Sequence, residues 1–364
     1  MLVKRLEITN VRNITSAQLL DLAPVTIFHG VNGSGKTSVL ESIHLLSSGR
    51  SFRNNKHKSL IKHDSDQLVV FAELYSQEYF TANSIGILRK LNGDCLIKLD
   101  GESTRKASSL AEHLPVLVIN SETFLLLEGG PQVRRQFLDW GLFHVEQNFH
   151  GVWKELQRCL KHRNTLLRHG RIDKELIKVW NDYFIKLSLQ MDDYRQSYIE
   201  QFTPVFSDCL KQLTSLEGKI SLQYYRGWNH EQDLSELIAH NSDKELEQGY
   251  SLYGPQRADL RIKYDGRPAA EVLSRGQQKL VVCALKVAQG YLLSHLKNRR
   301  CVYLVDDLPS ELDVPHRQAL CRLLEDMDCQ VFISCVDSKD LENCWKDEEQ
   351  IKKFHVEHGC IAIH

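Results

Sequence analysis

Two glycine-containing motifs, widely separated along the chain, constrain its fold more than any other feature of the sequence. The first fits the phosphate-loop pattern G-x-x-x-x-G-K-[ST] and reads Gly30-Val31-Asn32-Gly33-Ser34-Gly35-Lys36-Thr37. An apolar stretch at residues 25–28 predicts a strand before this loop, and apolar residues at helical spacing from Val39 to Leu46 predict a helix after it. The motif therefore lies between a strand and a helix, which is the context that a phosphate loop requires.

The residue types of this loop suit the binding of ATP and Mg²⁺. Glycines allow successive backbone N–H groups to converge on phosphate oxygens, and the helix that follows adds its positive N-terminal end. We expect Lys36 to reach the β- and γ-phosphates and the Thr37 hydroxyl to ligate Mg²⁺. Every residue of the loop, 30–37, is predicted to take part in nucleotide binding.

The second motif lies far downstream and resembles an LSxGQ-type signature: Leu273-Ser274-Arg275-Gly276-Gln277-Gln278-Lys279. A signature of this kind acts on ATP that is sandwiched between two copies of the protein. We expect Ser274 to hydrogen-bond the γ-phosphate of the partner's ATP, and Gly276 and Gln277 to complete the same contact at a helix N-terminus. An ordinary serine cap would explain Ser274 but not the whole string. Together the two motifs predict a homodimer that forms on ATP.

A third motif follows the signature, and it consists of an apolar strand that ends in two carboxylates: Cys301-Val302-Tyr303-Leu304-Val305-Asp306-Asp307. This pattern is typical of a Walker B motif. Asp306 is expected to hold the Mg²⁺ shell together with Thr37, and Asp307 to orient or deprotonate the attacking water. Lys36, Asp306 and Asp307 are therefore the predicted catalytic residues. The usual residue at position 307 in this ATPase class is Glu, so with Asp either the water sits closer or hydrolysis is slow.

Three further elements of this ATPase class depart from the usual pattern or allow two interpretations. Residues 310–313 stand at the spacing of a D-loop, which crosses the dimer interface, and a helix cap at Ser310 is the alternative. The glutamine of a Q-loop is missing, and Asn120 is the candidate substitute. For the switch residue, often His, we expect Ser334 or Cys335 after the last core strand.

The remaining pattern predicts an α/β fold, an ABC-type P-loop ATPase head with an antiparallel β subdomain and an inserted helical lobe. Residues 67–100 alternate apolar and polar side chains between turn signals, which indicates the antiparallel region. Residues 126–249 are rich in helix formers at helical spacing, and we assign them to a helical insertion, lobe II. Residues 1–125 and 250–364 then form the discontinuous ATPase head, lobe I.

The charge balance allows nucleic acid binding only through local patches, because the 364 residues carry a net charge of −1. Two segments are locally basic, one at residues 50–63 and one at residues 156–171, and their basic residues are Arg50, Arg53, Lys56, Lys58, Lys62, Arg158, Lys161, Arg163, Arg168 and Arg171. On a helix, positions 154, 158, 161 and 168 share one face, which could contact phosphates without reading the base sequence. A solvated helix face is the alternative interpretation.

The ten cysteines form no CxxC pair and several lie inside apolar runs, which fits reduced thiols in a cytosolic protein. The N-terminus has a polar-flanked strand pattern that is unlike a signal peptide. No apolar run reaches the length of about 20 residues that a membrane-spanning helix needs. We therefore expect a cytoplasmic protein with no membrane partner.

The motifs together resemble those of the RecF family, bacterial DNA replication and repair ATPases built like an SMC or Rad50 head without the long coiled coil. The resemblance covers essentially the whole chain. Besides the phosphate loop and the signature, it rests on Gly49–Arg53, Gly129-Gly130-Pro131 and Val305–Asp313. Its most specific blocks are Arg134-Arg135-Gln136-Phe137-Leu138-Asp139-Trp140 and Gly254-Pro255 with Ala258-Asp259-Leu260. The double aspartate and the missing Q-loop glutamine also look like this family.

The resemblance implies a weak, DNA-stimulated ATPase that dimerises on ATP. It also implies binding to single-stranded and gapped DNA, and roles in recombinational repair, replication restart and SOS induction. RecR and RecO would be the partners, with which the protein would assist the loading of RecA. These statements about DNA and partners come from the resemblance, whereas the dimer mechanism follows from the motifs.

Two other classes of protein share part of this pattern. An ATPase subunit of a transporter has both motifs, but it should show a Q-loop glutamine, a switch histidine and a surface for docking a membrane protein. A small-molecule kinase on a P-loop fold needs no signature, so residues 274–277 argue against it.

Overall fold

The protein is described from a computed structural model, in which residues 2–53, 57–76, 81–168 and 174–363 are described. Lys56 and Arg171, which belong to the two basic segments, lie outside the described residues. The strands are β1 (Leu2–Val11), β2 (Ile14–Leu19), β3 (Val25–His29), β4 (Gln67–Ser76), β5 (Thr81–Lys90), β6 (Cys95–Leu99), β7 (Glu102–Thr104), β8 (Val116–Ile119), β9 (Ile220–Tyr225), β10 (Asp259–Tyr264), β11 (Arg267–Pro268), β12 (Val302–Val305), β13 (Gln330–Cys335), β14 (Ile351–Glu357) and β15 (Cys360–Ile363).

The α-helices are α1 (Lys36–Ser48), α2 (Ala107–His113), α3 (Leu125–Glu128), α4 (Pro131–Val145), α5 (Phe149–Arg168), α6 (Lys174–Leu213), α7 (Leu234–His240), α8 (Ser242–Gln248), α9 (Ala269–Val272), α10 (Arg275–Lys297), α11 (Leu308–Glu311) and α12 (Val314–Asp326). Short 3-10 helices occur at His57–Leu60, Ser121–Phe124, Pro255–Arg257, Ser338–Leu341 and Glu348–Gln350.

The chain divides into two compact units, which we call the head unit and the helical unit. The head unit contains Met1–Phe124, Cys209–Ser215 and Arg275–His364. The helical unit contains Leu125–Asp208 and Leu216–Ser274. It therefore extends further along the chain than the predicted insertion at residues 126–249. The reason is that β10 and β11, which follow residue 249, form a sheet with β9 inside the insertion. The assignment of the two lobes as domains remains a prediction.

The head unit contains a six-stranded, mainly parallel sheet in the order β15-β14-β3-β13-β12-β8. The strands from β14 to β8 run parallel to their neighbours, and β15 pairs antiparallel with β14. Every residue of β3, β12 and β13 is buried, as expected for strands that are covered on both faces. Because these three strands are neighbours, their carboxyl ends bring the phosphate loop, residue 334 and residues 306–307 to one edge of the sheet.

A second sheet of the head unit is antiparallel, with the order β2-β1-β4-β5-β6-β7. Its apolar side chains join α1 and the parallel sheet in one hydrophobic core, which includes Leu6, Val70, Ile43, Phe28 and Phe332. The helix that follows the phosphate loop is therefore fixed by packing on both sides.

The helical unit combines long helices with the small antiparallel sheet β11-β10-β9. Helix α4 packs against β10, and α5 contacts α8. The predicted fold class, an α/β ATPase head with an antiparallel subdomain and an inserted helical lobe, is confirmed. None of the helices in the described part of the chain has both the length and the apolar character needed to cross a membrane.

Candidate nucleotide site

The phosphate loop follows β3 directly and uses glycine where other residues cannot fit. Gly30, Gly33 and Gly35 have φ values of 147°, 80° and 123°, in the region that favours glycine. A Cβ atom on Gly30 would lie 2.2 Å from the carbonyl oxygen of Val356. The backbone of the loop is therefore shaped by its own residues and by β14 beside it.

The ammonium group of Lys36 lies inside this loop. Its Nζ donates hydrogen bonds to the carbonyl oxygens of Gly30 (2.7 Å) and Val31 (2.9 Å). Burial lowers the pKa of Lys36, while the nearby charges of Asp307 and Asp306 act in the opposite direction. The positive charge is thus held at the centre of the loop, where phosphate oxygens would need it.

Thr37, Asp306 and Ser334 meet at the carboxyl edge of the parallel sheet. The hydroxyl groups of Thr37 and Ser334 donate to the same Asp306 oxygen, Oδ1, at 2.9 and 2.6 Å. Burial raises the pKa of Asp306, and the two hydrogen bonds work against that shift. A hydroxyl and a carboxylate are the oxygen ligands that Mg²⁺ prefers, so this group fits the predicted metal site.

Asp307 adopts a left-handed backbone conformation, with φ 54° and ψ 45°. Aspartate adopts this region more readily than most residues other than glycine, and further aspartates of this chain do so, among them Asp100 and Asp265. At Asp307 the conformation is held because the Asp307 N–H donates to Ser334 Oγ (2.8 Å) and the Ser310 hydroxyl donates to Asp307 Oδ2 (2.7 Å). These two hydrogen bonds fix the backbone and the carboxylate of the residue predicted to act on water.

A cavity of about 420 Å³ lies over this group of residues. The predicted site residues that line it are Asn32, Gly33, Gly35, Lys36, Thr37, Asp306 and Asp307. Gly30, Val31 and Ser34 belong to the loop but are not in the cavity lining, among the described residues. The structure therefore brings the phosphate loop and the Walker B pair into one site.

The signature residues lie elsewhere. Ser274 directly precedes α10, Gly276 and Gln277 are in its first turn, and none of the three is among the described residues that line the cavity. Ser274 and Gly276 are exposed and Gln277 is half-buried. A Cβ on Gly276 would meet no described atom within 4 Å. The fold of a single copy therefore gives no steric reason for glycine at this helical position, where it costs about 0.5–1 kcal/mol relative to alanine.

The candidate residues for the Q-loop and the switch differ in whether they line the cavity. The carboxamide oxygen of Asn120 accepts hydrogen bonds from the N–H and hydroxyl of Thr123 (3.1 and 2.7 Å), so this side chain closes a local turn. Ser121, its neighbour, lines the cavity instead. Of the two switch candidates, Ser334 lines the cavity and Cys335 does not, among the described lining residues.

The predicted D-loop contains both a site residue and a helix cap. Glu311 lines the cavity and forms a salt bridge of 2.7 Å with Lys279 of α10. The N-terminal cap in this segment is Asp313, which accepts from the N–H of His316 (3.2 Å), rather than Ser310.

Sequence reasoning missed a group of residues that support or line the cavity. Asn13, in the turn between β1 and β2, donates to the carbonyl oxygen of Ser34 (2.9 Å) and accepts from Ser38 (3.2 Å). This turn is distant from the loop in sequence, so no local motif indicated it.

Arg12 and Arg53 also line the cavity, and both lie close to the buried carboxylate of Glu41 on α1. Arg12 donates to both oxygens of Glu41, at 2.8 and 3.0 Å. The sequence placed Arg53 in a basic segment and in a block that resembles the family, but not at the nucleotide site. The ion pairs of Arg12 and Arg53 with Glu41 could not be predicted from the sequence, because they depend on tertiary packing.

One member of the second basic segment proves to be internal. The guanidinium of Arg163 is buried, and its partners are Glu245, Ser251 and Asn181 in the helical unit. Arg158, Lys161 and Arg168 are exposed. The four positions predicted to share one face of α5, 154, 158, 161 and 168, are all exposed. All ten cysteines are free thiols, of which Cys95 and Cys360 are exposed.

The fold and the site define a phosphate-loop ATPase head of the SMC type. Residues 2–362 match the family model of the RecF/RecN/SMC N terminal domain. The chain is 48% identical over 362 residues to the DNA replication and repair protein RecF of Pseudomonas aeruginosa (strain LESB58), covering 100% of the chain and 98% of that relative. The RecF protein of Pseudomonas entomophila (strain L48) is 47% identical over the same length, with the same coverage.

Solved structures agree with this fold. The recombination mediator protein RecF-ATP in the RecFOR pathway is similar with a TM-score of 0.88 and 23% identity, over 100% of this chain and 97% of that chain. An SMC head bound to the C-winged helix domain of ScpA gives a TM-score of 0.59 and 14% identity, over 100% and 98% of the two chains. The chain belongs to the RecF family. The comparisons give the transporter alternative no support.

Proposed function

We propose that this protein is an ATP-dependent DNA-binding protein of DNA replication and repair, which closes into a dimer on ATP. The observation that carries the proposal is the group formed by Thr37, Asp306 and Ser334 beside the phosphate loop, in a cavity that also contains Lys36 and Asp307. This arrangement supports binding of a nucleoside triphosphate with its metal ion.

The predicted site residues have separate proposed tasks. The backbone of residues 30–37 and the Lys36 ammonium bind the phosphates, and Thr37 with Asp306 holds Mg²⁺. When bound, Mg²⁺ would neutralise the charge that develops on the phosphates. Asp307 orients the attacking water or accepts its proton. Because Asp307 is short and is already bonded to Ser310, we propose slow hydrolysis. Its stimulation by DNA is proposed from family membership.

The signature supplies the argument for a dimer. Ser274 and Gly276 are exposed, and the cavity of the same copy is lined by other residues among those described. We propose that they contact the ATP held by a second copy, where the missing Cβ of Gly276 allows close approach. Gln277 would complete this contact.

The proposed DNA partner rests on family membership. The relatives at 47–48% identity are named DNA replication and repair proteins. We propose binding to single-stranded and gapped DNA in recombinational repair, replication restart and SOS induction, with assistance to RecA loading through RecO and RecR. A cytoplasmic location follows from this proposal because the DNA of a bacterium lies there.

Two substitutions test the proposed mechanism by separating its steps. Lys36→Ala should lose ATP binding, because it removes the charge at the centre of the loop. Ser274→Ala should bind ATP as the wild type does but should no longer dimerise. Binding is measured with a fluorescent ATP analogue, and mass by light scattering. Normal ATP-dependent dimers of Ser274→Ala would overturn the proposed role of the signature.

A further inference from the structure

A turn in the helical unit, residues 254–258, is held by an unusual number of charged groups. Three arginines donate hydrogen bonds to this turn or to the residue after it: Arg195 to the Pro255 carbonyl oxygen (2.9 Å), Arg135 to the Ala258 carbonyl oxygen (2.8 Å) and Arg134 to the Asp259 carboxylate (2.7 Å). Arg195 is itself paired with Asp139 at 2.7 Å. The backbone of the turn is thus fixed at both ends.

The glycines of this region allow two backbone segments to approach each other closely. Gly254 has a φ of 125°, and a Cβ on Gly227 would lie 2.1 Å from the Gly254 carbonyl oxygen. Without a side chain at position 227, the two backbone segments can pack directly against each other. The hydrogen bonds from Arg195 and Arg135 hold the turn in this position.

Arg257 is the exposed basic residue that this turn presents. Its guanidinium lies over the ring of Tyr250, 5.2 Å from the centroid. Further along the chain Arg261 is exposed on β10, and its guanidinium lies 4.7 Å from the ring centroid of Tyr225. Both guanidinium groups are oriented by an aromatic ring and not by a carboxylate, among the contacts of the described residues.

Such groups suit phosphate. Arg presents planar donors that match phosphate oxygens, and an aromatic ring below the guanidinium reduces the conformational freedom lost on binding. The nearest carboxylate in sequence, that of Asp259, is already bonded to Arg134. The charges of Arg257 and Arg261 therefore remain available to an external anion.

We propose that Arg257 and Arg261 contact the phosphate backbone of DNA. The inference rests on the proposed function, since it names the surface that the DNA partner uses. The turn and the two aromatic rings position the guanidinium groups, and the contact is independent of base sequence.

The test is the double variant Arg257→Gln/Arg261→Gln, which keeps polar side chains and removes both charges. Binding to labelled gapped DNA is measured by fluorescence anisotropy with ATP present, between about 50 and 200 mM salt. We expect an affinity loss of at least about tenfold, and a decrease of about 2 in the slope of log affinity against log salt. ATP binding and thermal midpoint should not change.

Two matched variants make the result specific. The pair Lys154→Gln/Lys161→Gln removes two exposed charges from α5 and should have a smaller effect on DNA affinity. The pair Arg257→Lys/Arg261→Lys keeps the charge and should keep the salt slope. Wild-type DNA binding by Arg257→Gln/Arg261→Gln would overturn the inference alone. Absence of DNA binding by the wild-type protein would overturn the proposed function together with it.

Discussion

The buried ion pair between Arg163 and Glu245 allows a quantitative prediction. Arg163→Met replaces the guanidinium by an apolar chain and leaves the Glu245 carboxylate without its charged partner. The two side chains are 1% and 0% exposed, so water cannot replace the lost contact. Hydrogen bonds from Arg163 to Ser251 (2.6 Å) and Asn181 (2.8 Å) are lost as well.

Breaking a buried pair by removing one partner costs about 3–5 kcal/mol. At 1.4 kcal/mol for each factor of ten, the equilibrium for unfolding of the helical unit should shift by roughly a hundredfold to a few thousandfold. Adding Glu245→Gln to Arg163→Met removes the unpaired charge. The glutamine keeps an oxygen that can accept from the Leu252 N–H, which in the wild type donates to Glu245 at 2.8 Å. The double variant should therefore be more stable than Arg163→Met.

The assay is urea denaturation followed by tryptophan fluorescence, since Trp180 and Trp228 lie in the helical unit. Arg158→Met is the control, because Arg158 is on the same helix but its side chain is 56% exposed, and a change within about 0.5 kcal/mol is expected. The reasoning is refuted if Arg163→Met retains wild-type stability and instead weakens DNA binding, which is the behaviour of a surface contact.

Two predictions concern the nucleotide site. Burial raises the pKa of Asp306 in the folded protein above its value in the unfolded chain, so the ionised carboxylate opposes folding. Below the unfolded pKa the carboxyl group is protonated in both states and costs no stability, and the protein loses stability as pH rises from there through the folded pKa. Asp306→Asn should therefore be more stable than the wild type in urea denaturation at pH 8 without Mg²⁺ and ATP. The gain in stability should be smaller near pH 4, and equal gains at the two pH values would contradict this prediction. Gly30→Ala places a Cβ 2.2 Å from the Val356 carbonyl oxygen, so it should weaken binding of a fluorescent ATP analogue by at least about tenfold, or about 1.4 kcal/mol. Gly33→Ala is its comparison, since a Cβ there meets no described atom within 4 Å and only the positive φ opposes it; equal losses in the two variants would refute the steric argument.

The elements that sequence predicted well are those fixed by local signals. The phosphate loop, its flanking strand and helix, and the Walker B strand each occupy one continuous stretch. A buried parallel strand appears in the sequence as an apolar run, which is why residues 301–305 were recognisable. Their meeting at one edge followed from the rule that carboxyl ends of neighbouring parallel strands lie together.

The features that sequence did not predict depend on distant partners. Asn13 supports the phosphate loop from another hairpin, and Glu41 was indistinguishable from a surface acid until Arg12 was placed beside it. Charge counting included Arg163 in a basic segment with exposed residues, because charge alone does not indicate burial. The helical unit extends beyond residue 249 because β9 pairs with β10. The mostly helical segment before residue 249 did not indicate this pairing.

The central claim is that ATP closes two copies through the exposed signature. Light scattering on the wild-type protein without nucleotide, with ADP and with ATP, each with and without gapped DNA, tests it most directly. We expect a dimer with ATP alone and with ATP and DNA, and a monomer in the other conditions. A monomer in every condition, with ATP binding confirmed in the same samples, would contradict it.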